Sequence, residues 1–220
     1  MCGRFALYSD YPKLSASLKL PLAEPEQPLA QRYNVSPGTF ITAVRRGDDE
    51  APLLMTELWW GYRPHWAGEK APQPINATVE KVVTSTYFRG AFAHHRCLVP
   101  ADGWFEWELT DGKKQPHFLC REDREPLWLA GIWTKRADGT PGCAIITEPA
   151  RGVAGEVHSR MPLALDAESL EPWLDPHLTD RETIRHVVHH LDAQLITHWP
   201  VSTRVNRPTN DGADLIEPAR

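Results

Sequence analysis

The chain has 220 residues, 41% hydrophobic and 24% charged, with 24 Lys and Arg against 29 Asp and Glu for a formal charge of −5. At roughly 100–200 residues per domain this is one large domain or two small ones, long enough to bury a core without disulfide or metal staples. The acidic balance excludes coating of nucleic acid by bulk charge while leaving a local basic groove open. No apolar run approaches the ~20 residues of a membrane span, and no charged-then-apolar leader opens the chain, so a soluble, cytoplasmic protein is expected.

In chain order, a helix is expected around Tyr11–Leu18 and a Pro- and Glu-rich surface loop over Leu20–Pro28. Thr39–Arg45 and Leu53–Trp60 are β-branched or apolar runs either side of Gly47-Asp48-Asp49 and read as a hairpin. A second helical stretch is expected around Thr84–His94. Cys97–Val99, Trp104–Leu109, His117–Leu119, Leu127–Trp133 and Cys143–Thr147 follow as strands, with turn signals at Asp111-Gly112 and Asp138-Gly139. Of two late helices, one is announced by Thr179-Asp-Arg-Glu182, which has capping-box form ahead of Ile184, Val187, Val188 and Leu191 at helical spacing. No repeat, low-complexity tract or linker interrupts the chain. The irregular interleaving of strands and helices predicts a single α+β domain over residues 2–220: a curved, mostly antiparallel sheet or barrel-like core flanked by helices.

Four cysteines, Cys2, Cys97, Cys120 and Cys143, form no Cys-x-x-Cys pair, so no zinc site and no other metal or cofactor is expected. Free thiols in a reducing compartment are the default. Cys97, Cys120 and Cys143 stand in apolar strand contexts and read as inert core residues. His186, His189 and His190 have i, i+3, i+4 spacing, which reads as a polar helix face rather than a metal face.

Cys2 is the most informative position. An initiator Met ahead of a small residue is normally removed, which would put a thiol and an α-amine on one terminal residue. Their reference pKa values of ~8.5 and ~7.7–8.0 leave neutral amine and some thiolate near neutral pH. Such a 1,2-aminothiol condenses with an aldehyde through an imine and closes to a thiazolidine; the alternative is a small hydrophobe packed at a chain end. Within Cys97-Leu-Val-Pro-Ala-Asp-Gly-Trp-Phe-Glu-Trp107, strand alternation puts Trp104 and Glu106 on one face and Phe105 and Trp107 on the other. A carboxylate beside aromatic surface has a raised pKa suited to acid/base work; the alternative is an edge-strand Glu facing water. His158 in a loop before Arg160 is either a proton carrier or a surface histidine. Asn76, after Pro72 and Pro74, is either an orienting amide or a turn residue.

Together these features resemble one family. Met1-Cys2-Gly3-Arg4-Phe5, Tyr33-Asn-Val-Ser-Pro37, Trp60-Gly61, Asn76-Ala77, the Arg96–Trp107 block and His158-Ser-Arg-Met-Pro162 occur in the order of the SRAP family, the SOS response-associated peptidases or abasic-site processing proteins. The resemblance runs from Cys2 to the Val205-Asn206 region. It implies a DNA-repair protein that traps abasic sites in single-stranded DNA as a thiazolidine crosslink, with AP-lyase-like chemistry and self-removal of Met1. Cys2 would be the nucleophile, Asn76 would hold its amine and the sugar, Glu106 would be the general acid/base, and His158 would assist proton transfer. Pro37 and Trp107 correspond to positions that wedge neighbouring bases apart. Where the family usually carries Arg after Asn-Ala this chain has Thr78, and Ser159 stands where Asp is common. Arg4 is retained beside the nucleophile; Arg89, Arg96 and Arg160 are further phosphate candidates and Trp66 a stacking candidate. The implied partner is abasic single-stranded DNA, with no membrane, and the chain is expected to be a monomer. Two other classes stay open: a thiol peptidase using Cys2, His158 and Glu106 or Asn76, and a non-covalent reader of single-stranded or modified DNA.

Overall fold

A computed structural model describes residues 2–47 and 52–219. Strands β1 (Phe5–Leu7), β2 (Arg32–Val35), β7 (Gly103–Thr110), β8 (Lys113–Arg121) and β12 (Ile196–Pro200) form an antiparallel five-stranded sheet in the order β12-β8-β7-β1-β2. The second sheet runs β11 (Arg160–Pro162), β10 (Pro141–Pro149), β4 (Leu53–Trp60), β3 (Phe40–Arg46), β6 (Arg96–Ala101), β9 (Leu127–Lys135), with β5 (Asn76–Thr78) laid parallel to β10. It curls until β9 also meets β10, but β3 touches β6 at the single pair Val44↔Leu98 and β10 touches β4 only at Gly142 and Cys143. The result is a curved sheet rather than a fully laddered barrel.

Local chemistry explains the elements. The first helix, α1 (Tyr11–Leu18), starts at Asp10, whose carboxylate accepts the Lys13 N–H at 3.1 Å, and stops at Lys19 in the left-handed region. Leu14 and Leu18, one turn apart, are its buried face. Asp111 and Gly112 have φ of 52° and 74° and join β7 to β8 across Thr110↔Lys113, the two-residue turn that suits strand twist. β3 and β4 pair in register from Phe40↔Trp59 to Arg46↔Leu53; Asp48 and Asp49 of the expected turn lie outside the described residues.

Three expectations need correction. The stretch expected as a helix around Thr84–His94 is helical only over α3 (Arg89–His94), and a separate short helix, α2 (Val79–Val82), precedes it. The cap of α6 (Arg181–Val187) is Asp180, which accepts from the Thr183 N–H and hydroxyl at 2.8 and 2.6 Å, and not Thr179. Because α6 ends at Val187, His189 and His190 do not share a helix face with His186; His190 lies 3.3 Å from Glu148 instead. Among the described residues no group of three or more His, Cys, Asp or Glu could hold a metal ion, and no helix is long and apolar enough to cross a membrane.

The main core fills the space between the sheets, and a second cluster of Ala6, Phe105, Phe118, Cys120, Val201, Val205 and Leu215 covers the outer face of the five-stranded sheet. Strand alternation therefore sorts β7 as the sequence predicts: Trp104 enters the main core, while Phe105 and Trp107 join the second cluster. Cys97, Cys120 and Cys143 are buried, and burial raises each thiol pKa, to about 12 for Cys97 and about 11 for Cys120.

Candidate functional site

The start of the chain is held against β7. Phe5 stands opposite Trp104, and the Phe105 N–H donates to the Arg4 carbonyl at 2.9 Å. The buried Asp102 carboxylate fixes the far end of β1 by accepting the Tyr8 and Ser9 N–H groups at 2.6 and 2.7 Å. Gly103 lets the strands close: a Cβ there would lie 2.4 Å from the Phe118 ring and 2.6 Å from the Leu119 carbonyl oxygen. This accounts for Ala101-Asp102-Gly103 at the head of the Trp104–Trp107 strand.

Cys2 is buried, and its thiol pKa is raised first by burial and next by the charge of Glu106, with the Arg4 backbone N–H working the other way. Glu106, only 3% exposed on the main-core face of β7, has its carboxyl pushed up to about 8 by burial, against the pull of the positive chain terminus. A carboxyl poised there both donates and accepts a proton near neutrality. His158 follows α4 (Ala154–Val157) and is half-buried; burial first, then the same terminal charge, lower its pKa. Its Nδ1 lies 3.0 Å from the Arg160 backbone nitrogen and 3.2 Å from the Arg160 carbonyl oxygen. Asn76 opens β5 beside Ile145; its Nδ2 donates to the Ile145 carbonyl at 3.4 Å, while its buried Oδ1 has no partner among the described residues.

Arg4 is the hub of the neighbouring wall. Its Nη1 donates to Asn34 Oδ1 at 2.7 Å and to the Val205 carbonyl at 2.8 Å, and its guanidinium lies 6.0 Å from the Trp107 ring centre. Burial lowers its pKa. Asn34 spends its amide N–H groups on the carbonyls of Val205, Arg207 and Asn210, and Trp107 Nε1 donates to Asn206 Oδ1 at 2.8 Å. Pro37 is half-buried in the turn three residues beyond Asn34.

Across β10, Thr78 stands opposite Thr147, whose carbonyl accepts from Arg160 at 2.7 Å. Arg160 also forks onto Glu80 at 2.8 and 3.1 Å. Bonding to Arg160, helped by Thr78, drives the exposed Glu80 carboxyl down to about 2. Trp66 and Arg89 lie elsewhere: Trp66 is 59% exposed and meets Tyr87 edge-on on the wall of a groove of about 460 Å³, while Arg89 begins α3 in solvent. Arg96 is a correction. It is buried, and its guanidinium bonds the carbonyls of Phe92, Ala93, Trp173, Asp175 and Leu178, which removes it from any phosphate-facing surface.

A family model of the SOS response associated peptidases (SRAP) matches residues 1–208. The chain belongs to the SRAP family. It is 34% identical to abasic site processing protein YedK of Escherichia coli over 99% of this chain and 100% of that protein. It is 31% identical to abasic site processing protein YoqW of Bacillus subtilis, over 99% of each. A crystal structure of a Bacteroides thetaiotaomicron protein superposes with a TM-score of 0.83 over 100% of both chains at 20% identity, a likeness of fold. A phage-related protein from Bordetella bronchiseptica gives 0.72 at 31% identity, over 91% of this chain and 94% of that one. Against this SRAP background, sequence reasoning passed over Asn34 and Asp102, although both stand inside the quoted motifs. Asn34 as a donor to distant carbonyls and Asp102 as an acceptor of the Tyr8 and Ser9 N–H groups become visible only once the fold brings those partners to them.

Proposed function

We propose that this SRAP-family chain processes abasic sites in single-stranded DNA by capturing the ring-opened sugar at Cys2 after Met1 has been removed. While Met1 is attached the Cys2 nitrogen is an amide; its removal creates the 1,2-aminothiol. Relatives named abasic site processing proteins match nearly the whole chain. The observation that carries the mechanism is the buried Glu106 carboxyl, with a pKa of about 8, acting on the Cys2 thiol at the start of the chain.

In this mechanism Glu106 donates a proton to the ring oxygen as the sugar opens to its aldehyde. The Cys2 amine attacks the aldehyde carbon, water leaves, and the thiol adds to the imine to close the thiazolidine. The open acceptor at Asn76 Oδ1 suits a hydrogen bond from the amine or a sugar hydroxyl, and the half-buried His158 ring, neutral by burial, would assist proton transfer at the sugar oxygens. The ring so formed removes the aldehyde that β-elimination requires. Arg4, Thr78 and Arg160 would meet the DNA backbone, Pro37 and Trp107 would part the neighbouring bases, and Trp66 and Arg89 would serve a longer strand.

A thiol peptidase is less well supported. It needs a thiolate stabilised by a protonated histidine, whereas burial and Glu106 keep the Cys2 thiol protonated and burial keeps His158 neutral. The test is a denaturing gel of the protein with single-stranded DNA bearing one abasic site. A heat-stable shifted band from wild type, absent for Cys2→Ala and for undamaged DNA, is expected; cleavage of peptides by a protein that yields no such band would reverse the choice.

A further inference from the structure

The groove walled by Trp66 adjoins the candidate site. Its Tyr62 N–H donates to the Pro74 carbonyl at 2.9 Å and its Tyr87 hydroxyl to the Pro72 carbonyl at 2.7 Å, which fixes the segment that leads into Asn76. His94 and His95, at the close of α3, also line this groove. The same two histidines line a second pocket, of about 330 Å³, with Arg45 and Arg46 at the end of β3 and Trp133 of β9. The two depressions therefore adjoin each other.

The second pocket presents cations on an aromatic support. The Arg45 guanidinium sits over the Trp133 ring, 4.6 Å from its centre, and the His95 ring packs on the same indole at 4.8 Å with the planes 33° apart. Stacking engages the face of a guanidinium and leaves its N–H edge for an acceptor. Among the described residues Arg45 makes no hydrogen bond or ion pair, and its buried Nε has no partner. Arg46 donates from Nε to the Leu174 carbonyl at 3.2 Å and has no carboxylate partner among the described residues. Asp175 is the one carboxylate among the described residues that line the pocket. It accepts the His177 N–H at 2.8 Å, and its charge acts on Arg96. The acidic residues next in the chain, Asp48, Asp49 and Glu50, lie outside the described residues.

Aromatic surface followed by unpaired arginines matches the alternation of base and phosphate along a single strand. A free phosphate would use the pocket alone, without the groove beside it. Resting on the single-stranded DNA reading above, we propose that the strand leaving the candidate site passes Trp66 and Tyr87 and seats a phosphate on Arg45 and Arg46 over Trp133.

The test is the salt dependence of binding to two oligonucleotides of about 4 and about 16 nucleotides, which bracket common single-strand site sizes. Each carries a central, unreactive tetrahydrofuran site. Arg45→Gln, which breaks no described hydrogen bond, should flatten the log–log slope on the long oligonucleotide by about 0.7, and adding Arg46→Gln should bring the loss to about 1.4. Neither variant should change the slope on the short one, or the rate at which a short abasic oligonucleotide is crosslinked. An unchanged slope on the long DNA would overturn the proposal and leave the arginines to residues 48–50 or to the fold. Equal losses on both lengths would overturn it in favour of general charge attraction. A wild type that shows the arginine-dependent slope but crosslinks no abasic DNA would uphold the pocket and overturn the capture reading.

Discussion

The pKa of Glu106 makes a stability prediction independent of any DNA chemistry. Its carboxyl stands at about 8 in the folded chain against a reference of 4.5, and burial is the main cause. Between those values the folded protein holds a proton that the unfolded chain has released, so stability falls as pH rises through this window and is unaffected by Glu106 below it. At 1.36 kcal/mol per unit, the cost reaches about 3 kcal/mol at pH 7 and about 5 kcal/mol at pH 8 and above. Glu106→Gln removes the titration while keeping shape and one hydrogen-bond donor. Urea unfolding of both proteins over a pH series should show the variant gaining on wild type by roughly 1.4 kcal/mol per pH unit across the window, whatever fixed offset the amide introduces. A difference that does not change with pH would refute the buried, proton-holding carboxyl on which the mechanism depends.

Other perturbations test the surrounding assignments. Glu80→Gln should release Arg160 for phosphate, tightening single-stranded DNA binding at low salt and steepening the log–log salt dependence by roughly 0.7; an unchanged slope would leave Arg160 outside the DNA track. Arg96→Met should strip the guanidinium that donates to the carbonyls of Phe92, Ala93, Trp173, Asp175 and Leu178. A loss of roughly 3 kcal/mol or more in urea unfolding is expected, with DNA affinity of the remaining folded protein unaltered.

The sequence is most legible where local rules act alone. Strand alternation through Trp104, Phe105, Glu106 and Trp107 separates the two faces correctly because both faces of that sheet are covered. The turn at Asp111-Gly112 and the helix over Tyr11–Leu18 are likewise local. What escapes is built by long-range pairing. β1, β5 and β11 are three residues each, too short to carry a period, and exist because β7 and β10 offer them an edge. Arg96 reads like a phosphate ligand in the chain and becomes a buried carbonyl cap only when the α5 segment (Leu170–Leu174) and the loop after it fold over it. Thr78 and Arg160 share a carboxylate, Glu80, that no motif marks as their partner. His117 and His198, 81 residues apart, meet only because β12 returns to β8.

The central claim is that Cys2 captures an aldehyde with both its amine and its thiol. The most direct measurement is the intact mass of the adduct formed with an abasic oligonucleotide, before and after borohydride treatment. The account predicts the mass of a protein lacking Met1 plus the oligonucleotide less one water, unchanged by borohydride because no imine remains. An adduct that retains Met1, or one that gains two hydrogens on reduction, would contradict it.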